Sequence, residues 1–519
     1  MNIDPGSSKY YLMKNKFLLP VLFLLSITSL HAQYNIKQNN VWAFGYHAGL
    51  DFNTGSPVAV QTGIEGLYLG STGPNAYFIE GSASVCDSNG HLLFYGTADS
   101  IWDKNGHRWP NGYSLMPHKN SLGNDTSYEG ASTDEGLLIV PVIGNPNQYY
   151  LFCLEDASDL ENWGDMHASR LYYSIADMTL NGGLGDIVTT KKGIKIDSML
   201  SEKMIAIAGN SCDIWVLVHS MDSAVFRAYH VTGSGIDTAH PVISHAGYFD
   251  STAAYNTGVI KVSPDRSKIV VCNHLEKTGI ELCSFDPNTG TVSNALLIDS
   301  ANRTYGASFS PDNSKLYVKR WDASYNMLTS QYNVGLSTAI AIINSRVTVD
   351  SEAGGGYDTD LRLGPDGKIY CDGFTSTRDS MDCIKFPNLA GTSCQYTKNV
   401  VALVSGSNAY HAMPATEFVK PLNCVLSVPE MGENEQTISL YPNPNGGNFI
   451  LKGRVAKGNE AVIEIINSLG QSVYKETFIT TDNVLNKQLS LGNSMPPGVY
   501  FLRLTASGEY KTISFLIGY

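Results

Sequence analysis

Along most of the chain, apolar residues form short runs or alternate with polar residues, and turn residues separate the runs, a pattern that predicts many short β-strands. Three segments repeat one order: an apolar run, a Pro-Asp turn, a lysine and a second apolar run. The turns follow Ser263, Ser310 and Gly364, which lie 47 and 54 residues apart. Because Pro fixes φ and Asp can bond to the backbone after it, each segment predicts a strand–turn–strand unit.

The spacing of these hairpins is close to the period of about 40–50 residues for one four-stranded blade of a β-propeller. We therefore predict an all-β fold in which residues 33–418 form a propeller of about seven blades. A β-sandwich or two smaller β-domains remain as alternatives, which the regular period disfavours. The expected blades are 82–128, 135–190, 202–247, 257–301, 305–351, 357–406, and a last one that combines strands near 41–60 with a strand near 411–418.

The composition changes after residue 418. Residues 419–437 are rich in Pro, Glu, Asn and Gly and are typical of a linker. Residues 438–519 again alternate, with strands expected at 461–466, 485–491 and 499–504. This segment predicts a separate, Ig-like β-sandwich of about seven short strands.

Residues 1–32 are predicted to contain an N-terminal extension and a signal peptide. Lys14 and Lys16 precede an apolar run from Phe17 to Ile27, and Ala32 marks a cleavage point before Gln33. The run is too short to span a bilayer, so a cleaved export signal is favoured over a buried helix.

The net charge and the absence of known motifs exclude several classes of function. The formal net charge of −13 and the lack of a Lys/Arg run argue against a nucleic-acid partner. No nucleophile-elbow, zinc-protease, P-loop or dinucleotide motif occurs in a suitable context, so the sequence predicts no cofactor and no metal.

Catalysis by a propeller would use the central channel, where the first strands of the blades meet. Asp358 and Asp360 alternate with Arg362 on one expected strand face, and paired carboxylates could act as acid and base. A solvated channel wall, with Arg362 neutralising its neighbours, is the favoured alternative. Three other candidates sit at comparable strand starts: Asp134, Glu135 and His411.

Nine cysteines occur in a chain destined for an oxidising compartment. Alignment of two blades on Lys268 and Lys368 places one cysteine on the second strand and another on the third strand of each. We predict a cross-strand disulfide in each blade, the alternative being that these are small buried residues chosen for packing. The predicted pairs are Cys272 with Cys283, and Cys371 with Cys383.

Aromatic residues cluster early in the chain. If exposed they could stack on sugars or contact a protein, and if buried they pack the blades, which is the favoured interpretation. They are Trp102, Trp109, Tyr113, Trp163, Tyr172 and Tyr173.

The last 80 or so residues resemble the type A C-terminal sorting domain of the type IX secretion system. The resemblance rests on Tyr441, Pro442, Asn443 and Pro444, on Gly446-Gly447, on residues 463–471, and on residues 497–504 with Gly498 and Tyr500. It implies handling by the type IX machinery, passage across the outer membrane, and removal of the domain with attachment or release. The final Leu516–Tyr519 lacks the common basic tail, which leaves the details of processing open.

The larger segment resembles propeller-like ectodomains of surface proteins from bacteria with this route, some of them associated with gliding motility. The matching stretches are 42–45, 49–52, 144–152, 177–186 and 215–219. The resemblance implies a secreted or outer-surface protein of a Gram-negative bacterium that passes through the periplasm, and it implies no reaction.

Two functions follow as hypotheses. The first is a non-enzymatic binding or adhesion module with an unknown glycan or protein ligand. The second is a secreted propeller hydrolase or lyase acting on a polysaccharide or a lactone, which would need acidic or His side chains converging at one mouth of the channel.

Overall fold

In the computed structural model the chain forms two compact units, Met1–Cys424 and Val425–Tyr519. The predicted signal peptide lies outside the described residues, and no helix within them is long and apolar enough to cross a membrane. The structure describes residues 33–519 except 65–66, 69–76, 79–80, 117–132, 156–168, 249–257, 274–278, 301–302, 354–358, 373–377, 410–412, 415–416, 423, 425–437, 455–459, 469, 480–483, 493–494, 507–508 and 519.

The first unit is a seven-bladed β-propeller, as predicted. Its described strands form seven antiparallel sheets in chain order, which we call blades 1 to 7, with a short pair between blades 1 and 2. Blade 1 contains β1 (Val41–Phe44), β2 (Ala48–Asp51) and β3 (Val58–Gln61); the short pair is β4 (Leu67–Tyr68) and β5 (Tyr77–Phe78); blade 2 contains β6 (Ala83–Cys86), β7 (Leu92–Gly96) and β8 (Ile101–Asp103); blade 3 contains β9 (Leu137–Pro141), β10 (Gln148–Leu154), β11 (Leu171–Asp177), β12 (Asp186–Ile187) and β13 (Ile194–Asp197).

The remaining blades each have four strands in simple order. Blade 4 contains β14 (Leu200–Ala208), β15 (Ile214–Ser220), β16 (Val225–Thr232) and β17 (Gly235–His245); blade 5 contains β18 (Gly258–Val262), β19 (Lys268–Asn273), β20 (Ile280–Asp286) and β21 (Thr291–Asp299); blade 6 contains β22 (Thr304–Phe309), β23 (Lys315–Trp321), β24 (Met327–Asn333), a helix (Ala339–Asn344) and β25 (Val347–Glu352); blade 7 contains β26 (Leu361–Leu363), β27 (Ile369–Asp372), β28 (Ser380–Ile384) and β29 (Tyr396–Ala402). Short 3-10 helices are Gln33–Asn35, Lys37–Asn39, Asn181–Gly183, Thr189–Lys191 and Gly391–Cys394.

Apolar clusters between neighbouring blades close the ring. Blades 3 and 4, for example, share a cluster that includes Leu138 and Val216. The ring closes where Trp42 and Phe44 of blade 1 pack with Met381 of blade 7. Burial of these apolar surfaces between blades is the main favourable term in holding them together.

In the four-stranded blades 4 to 7 the first strand is more buried than the last. Every residue of β14 and of β22 is buried, whereas most residues of β17 and β25 are partly or fully exposed. The three Pro-Asp segments form the turn between the first two strands of blades 5, 6 and 7. Arg266, Asn313 and Gly367 occupy the same position in these three turns, and each has a positive φ. Because a positive φ favours glycine, Gly367 suits this position in the third turn.

The two ends of the propeller chain meet beside blades 1 and 2. Asn39 donates from Nδ2 to the carbonyl of Phe418 and accepts from its backbone N–H. Pro414 bridges in parallel to Ser82, directly before β6. Part of the expected closing strand at 411–418 lies outside the described residues, and that strand stays a prediction.

The predicted pairing of cysteines is wrong: Cys272, Cys283, Cys371 and Cys383 are all free and buried. In the β19–β20 register, Cys272 faces Ile280 and Cys283 faces Ile269. The two cysteines are thus offset by three positions, and an odd offset places their side chains on opposite faces of the sheet. In blade 7, Cys371 faces Asp382, so Cys383 is offset by one position with the same result.

A disulfide that the sequence analysis missed joins Cys212 to Cys424. Cys212 lies in the turn between β14 and β15 of blade 4, and its N–H also donates to the carbonyl of Leu422. Val419 packs in the cluster between blades 3 and 4, and the N–H of Lys420 donates to Oε1 of Gln33. The chain after Phe418 therefore stays attached to the propeller as far as Cys424, which is five residues beyond the expected start of the linker at residue 419.

The second unit is a small sandwich. Its core combines residues of both sheets, among them Phe449, Ile463, Leu485 and Leu502. One sheet has the order β30-β31-β34 and the other β33-β32-β35-β36, with β30 (Ser439–Tyr441), β31 (Asn448–Arg454), β32 (Glu460–Asn467), β33 (Ser472–Ile479), β34 (Val484–Ser490), β35 (Gly498–Ala506) and β36 (Glu509–Ile517).

The sequence motifs of this unit support its turns. Asn443 accepts from the N–H of Leu516 through Oδ1, which ties the first turn to the last strand. Gly447 has φ +88°, and a Cβ there would lie 2.5 Å from the carbonyl oxygen of Gly492, so only glycine fits. Tyr500 is buried and donates from its hydroxyl to the carbonyl of Pro496.

The Cys212–Cys424 bond should stabilise the propeller because it closes a loop with a sequence separation of 212 residues. We expect Cys212→Ser/Cys424→Ser to lower its free energy of unfolding by about 2–5 kcal/mol. All six tryptophans lie before Cys424, so tryptophan fluorescence during urea denaturation reports this unit alone. Reductant should lower the stability of the native protein to that of the variant. Equal stability of the two proteins without reductant would contradict the bond, as would alkylation of Cys424 before unfolding.

Candidate functional site

The charged residues of the channel lie where the inner strands of blades 3 to 7 begin. Asp134 and Glu135 directly precede β9 of blade 3. The N–H of Asp134 donates to the Glu202 carboxylate at 2.9 Å, and the N–H of Glu135 donates to the carbonyl of Glu202. Glu202 belongs to β14, so this contact links the inner strands of blades 3 and 4.

Glu135 joins three blades through its carboxylate. Oε2 accepts from the N–H of Met204 at 3.0 Å and from the N–H of Ile260 at 2.9 Å, in blades 4 and 5. Oε1 lies 3.3 Å from Nζ of Lys261. The register of β14 shifts between Leu200 and Met204, and the innermost strand of a blade has no further strand on its channel side. The carboxylate therefore supplies acceptors that no strand provides.

Asp134 makes the same kind of link further round the ring. Its Oδ2 accepts from the N–H of Gly258, where β18 begins, and its Oδ1 accepts from the hydroxyl of Tyr305 in blade 6 at 2.6 Å. Asp134 is 7% exposed and Glu135 is fully buried. Two consecutive carboxylates thus hold the starts of four inner strands together.

Asp360 and Arg362 join this cluster from blade 7. Nζ of Lys261 lies 3.3 Å from Oδ2 of Asp360, and Oδ1 of Asp360 accepts from the N–H of Leu361. Arg362 donates to the carbonyl of Pro414, and its guanidinium lies 5.1 Å from the ring centre of Trp42. Of the candidates from sequence, the structure brings together Asp134, Glu135, Asp360 and Arg362, while Asp358 and His411 lie outside the described residues.

Burial controls the ionisation of the cluster. It raises the pKa of Glu135 to about 8, although Lys261 and two backbone N–H groups oppose the change. Burial also raises the pKa of Asp372, which accepts from the N–H of Asp360, to about 7 against the attraction of Arg378. For Lys261, burial disfavours the charge, but the attraction of Asp360 and Glu135 outweighs it and the pKa is raised.

Lys261, Glu202 and Tyr305 belong to this site but were not candidates from sequence. The sequence could have identified Lys261 as a candidate, because it is the one charged residue within the apolar strand Gly258–Val262. No sequence pattern marks Glu202 or Tyr305, since their role depends on how blades 4 and 6 contact blade 3.

The channel contains a cavity of about 60 Å³. Lys261 and Arg362 are among the residues that line it. It is also lined by residues from both ends of the propeller chain: Gln33, Tyr34, Glu417 and Val419. This volume suits a few water molecules and is well below the roughly 300–1,000 Å³ of ordinary ligand pockets. Among the described residues, no group of three or more His, Cys, Asp or Glu side chains could hold a metal ion.

The early aromatic residues mostly pack the blades, as favoured from sequence. Trp102, Trp109 and Tyr172 are buried and Tyr173 is partly buried, whereas Trp163 lies outside the described residues. Tyr113 differs, with 46% of its surface exposed.

The raised pKa of Glu135 gives a pH-dependent stability. Between the ordinary glutamate pKa of about 4.3 and about pH 8, the folded state holds a proton that the unfolded state lacks. The free energy of unfolding should therefore fall as pH rises through this window, by up to about 1.4 kcal/mol per pH unit from this group. Glu135→Gln should flatten the slope between pH values of about 5 and 8, measured by tryptophan fluorescence in urea.

Glu135→Ala is the paired variant. It leaves the N–H groups of Met204 and Ile260 without an acceptor and should lose about 2–5 kcal/mol across the same pH range. Equal slopes for the native protein and Glu135→Gln would contradict the assignment.

Among the comparisons with known proteins, the strongest match is to the second unit. Residues 439–518 match the model of the secretion system C-terminal sorting domain. No curated protein matches the chain at a significant level.

Solved structures give weaker similarities. A provisionally named 6-phosphogluconolactonase from Bacteroides uniformis has a TM-score of 0.35 and 11% identity, covering 86% of this chain and 98% of that protein. Sqt1 from Chaetomium thermophilum has a TM-score of 0.30 and 12% identity, covering 72% and 82%. PorZ, an essential surface component of the type IX secretion system of Porphyromonas gingivalis, has a TM-score of 0.28 and 9% identity, covering 91% and 68%. At these values the similarities carry no inference about function.

The sorting domain settles the destination of the chain. A domain of this kind is handled by the type IX secretion machinery of Gram-negative Bacteroidetes. The protein is therefore exported to the cell surface or secreted, as the resemblance in its sequence implied.

Proposed function

We propose that the propeller is a non-enzymatic binding or adhesion module that the type IX system delivers to the cell surface. The ligand class would be a glycan or a protein on a neighbouring cell or surface, and adhesion of gliding cells is one setting that fits such a module. The sorting domain supports the location, and the state of the channel carboxylates supports the absence of catalysis.

The observation that carries the proposal is that the channel carboxylates of Asp134, Glu135 and Asp360 already have partners. Glu135 accepts from two backbone N–H groups and Lys261, and Asp134 accepts from Gly258 and Tyr305. Asp360 contacts Lys261 and the N–H of Leu361. A general acid or base must reach a substrate proton. Asp134, Glu135 and Asp360 are buried, and none of the three is among the described residues that line the channel cavity of about 60 Å³. A hydrolase or lyase would need at least one carboxylate that is free to face a substrate.

A binding screen with the purified exported protein tests the proposal. We expect it to retain selected glycans or proteins, and to leave polysaccharides unshortened when their size distribution is followed by gel filtration. Asp360→Asn should bind the same ligands, because Asp360 serves the channel and not the ligand. Depolymerisation that Asp360→Asn abolishes would overturn the proposal in favour of the hydrolase or lyase.

Deletion of residues 438–519 tests the division of labour between the units. The propeller keeps its own core clusters, so we expect its tryptophan fluorescence and unfolding midpoint to be unchanged. Cell fractionation should find the truncated chain in the periplasm and the intact chain at the surface or in the medium. Normal surface display of the truncated chain would contradict the role of the domain.

A further inference from the structure

A groove with a volume of about 660 Å³ lies between blades 1 and 2. Blade 1 contributes the ends of β2 and β3 and the segments that follow them, and blade 2 contributes β7, the turn before it and the turn after β8. We call it the blade 1–2 groove. Unlike the channel cavity, it has a volume within the range of roughly 300–1,000 Å³ for ordinary ligand pockets.

Hydrogen bonds between the two blades hold the groove in shape. Nδ2 of Asn53 in blade 1 donates to the carbonyl of Gly90 in blade 2 at 2.8 Å. The N–H of Gly63 donates to the hydroxyl of Tyr95 at 2.6 Å, and Tyr95 is 1% exposed. The backbone of Gly63 also packs on that of Gly106, because a Cβ on Gly63 would lie 2.5 Å from the carbonyl oxygen of Gly106. A preorganised groove of this kind loses little conformational entropy when a ligand binds.

Aspartate turns fix the backbone that carries the polar side chains of the groove. Oδ1 of Asp51 accepts from the N–H of Asn53 at 2.8 Å and from its Nδ2 at 2.9 Å. In blade 2, Oδ1 of Asp103 accepts from the N–H of Asn105 at 2.8 Å, in the turn that also contains Lys104. The positions of these side chains are therefore set before a ligand arrives.

Several of these side chains retain hydrogen-bonding capacity. Within the described part of the chain, the exposed side chains of Gln61, Lys104 and Asn105 form no hydrogen bond or ion pair. The same holds for Oδ2 of Asp51, since Asn53 occupies only Oδ1. A side-chain amide both donates and accepts, and a carboxylate accepts. The groove therefore offers donors and acceptors together.

The charges around the groove favour a neutral ligand. Asp51 and Lys104 supply one carboxylate and one ammonium to its lining, and His91 lies 3.2 Å from the carboxylate of Asp87. An acidic polysaccharide and a nucleic acid would both need an excess of cations, which the described lining residues do not supply. Sugar hydroxyls carry no charge, and each can donate and accept.

We infer that the blade 1–2 groove binds a sugar unit of a neutral glycan. The amides of Gln61 and Asn105 and Oδ2 of Asp51 would form hydrogen bonds with its hydroxyls. Its C–H groups would pack on Val60 and Leu92, which line the groove and are partly buried. This inference rests on the proposed binding function and names its ligand class.

The experiment measures binding of the purified exported protein to immobilised dextran, mannan and galactan, with polygalacturonate as the acidic polymer. We expect binding to at least one neutral polymer and not to polygalacturonate. Asp51→Asn, Gln61→Ala and Asn105→Ala should each weaken this binding about three- to tenfold, because each removes a hydrogen bond to the sugar. Asp51→Asn keeps an oxygen that can accept from the N–H of Asn53, so the turn is retained. Binding should change little between ionic strengths of about 0.05 M and about 0.5 M.

Two variants on other blades serve as matched controls. Asn147→Ala removes an exposed asparagine from the turn before β10 of blade 3, and Asp222→Asn neutralises an exposed carboxylate after β15 of blade 4. Both should bind like the native protein. Because Gln61 and Asn105 are exposed and Asp51 is partly exposed, the unfolding midpoints of all five variants should stay unchanged, which tryptophan fluorescence in urea checks.

Failure to bind all three neutral polymers, or full binding by the groove variants, would overturn the inference. Binding that the controls weaken as much as the groove variants would also overturn it. An acidic polymer or a protein whose binding the groove variants weaken would overturn the assignment to a neutral glycan. A ligand from the broader screen that none of these variants affects would leave the proposed function standing and remove this groove from it.

Discussion

The propeller depends on how the inner edges of its blades satisfy their backbone at the centre of the ring. An innermost strand has no neighbour on its channel side, so its N–H groups need acceptors from elsewhere. Asp134 and Glu135 supply them to Met204, Gly258 and Ile260, and so hold four blades at one point. Lys261 carries the link on to Asp360 of blade 7 and offsets the buried negative charge.

This constraint also bears on the proposed function. In the channel the carboxylates of Asp134 and Glu135 bind backbone N–H groups of neighbouring blades, which is why we propose a structural role for them. The C-terminal end of the propeller chain also lines the channel cavity, through Glu417 and Val419, and the Cys212–Cys424 bond fixes the segment that follows.

Local patterns in the sequence predicted most of the fold. The Pro-Asp turns and their spacing led to the seven blades, because a turn depends on a few adjacent residues. The register of the strands was not predictable: a simple hairpin between Cys272 and Cys283 implied direct pairing, and an offset of three positions separates them in the structure. Contacts over long separations were also missed, such as Cys212 with Cys424 and Glu135 with Ile260, because no local pattern encodes which blades meet. Asp360 and Arg362 were found as candidates, but their role depended on Lys261 and Pro414.

The central claim is that the carboxylates of blade 3 hold the inner strands of blades 4 and 5, and amide hydrogen exchange measures this directly. Mass spectrometry of the native protein should find slow exchange in peptides covering 200–208 and 258–262. In Glu135→Ala the account predicts faster exchange in both peptides, with unchanged exchange in the sorting domain. Exchange that accelerates only in the peptide that contains the substitution, or nowhere, would contradict it.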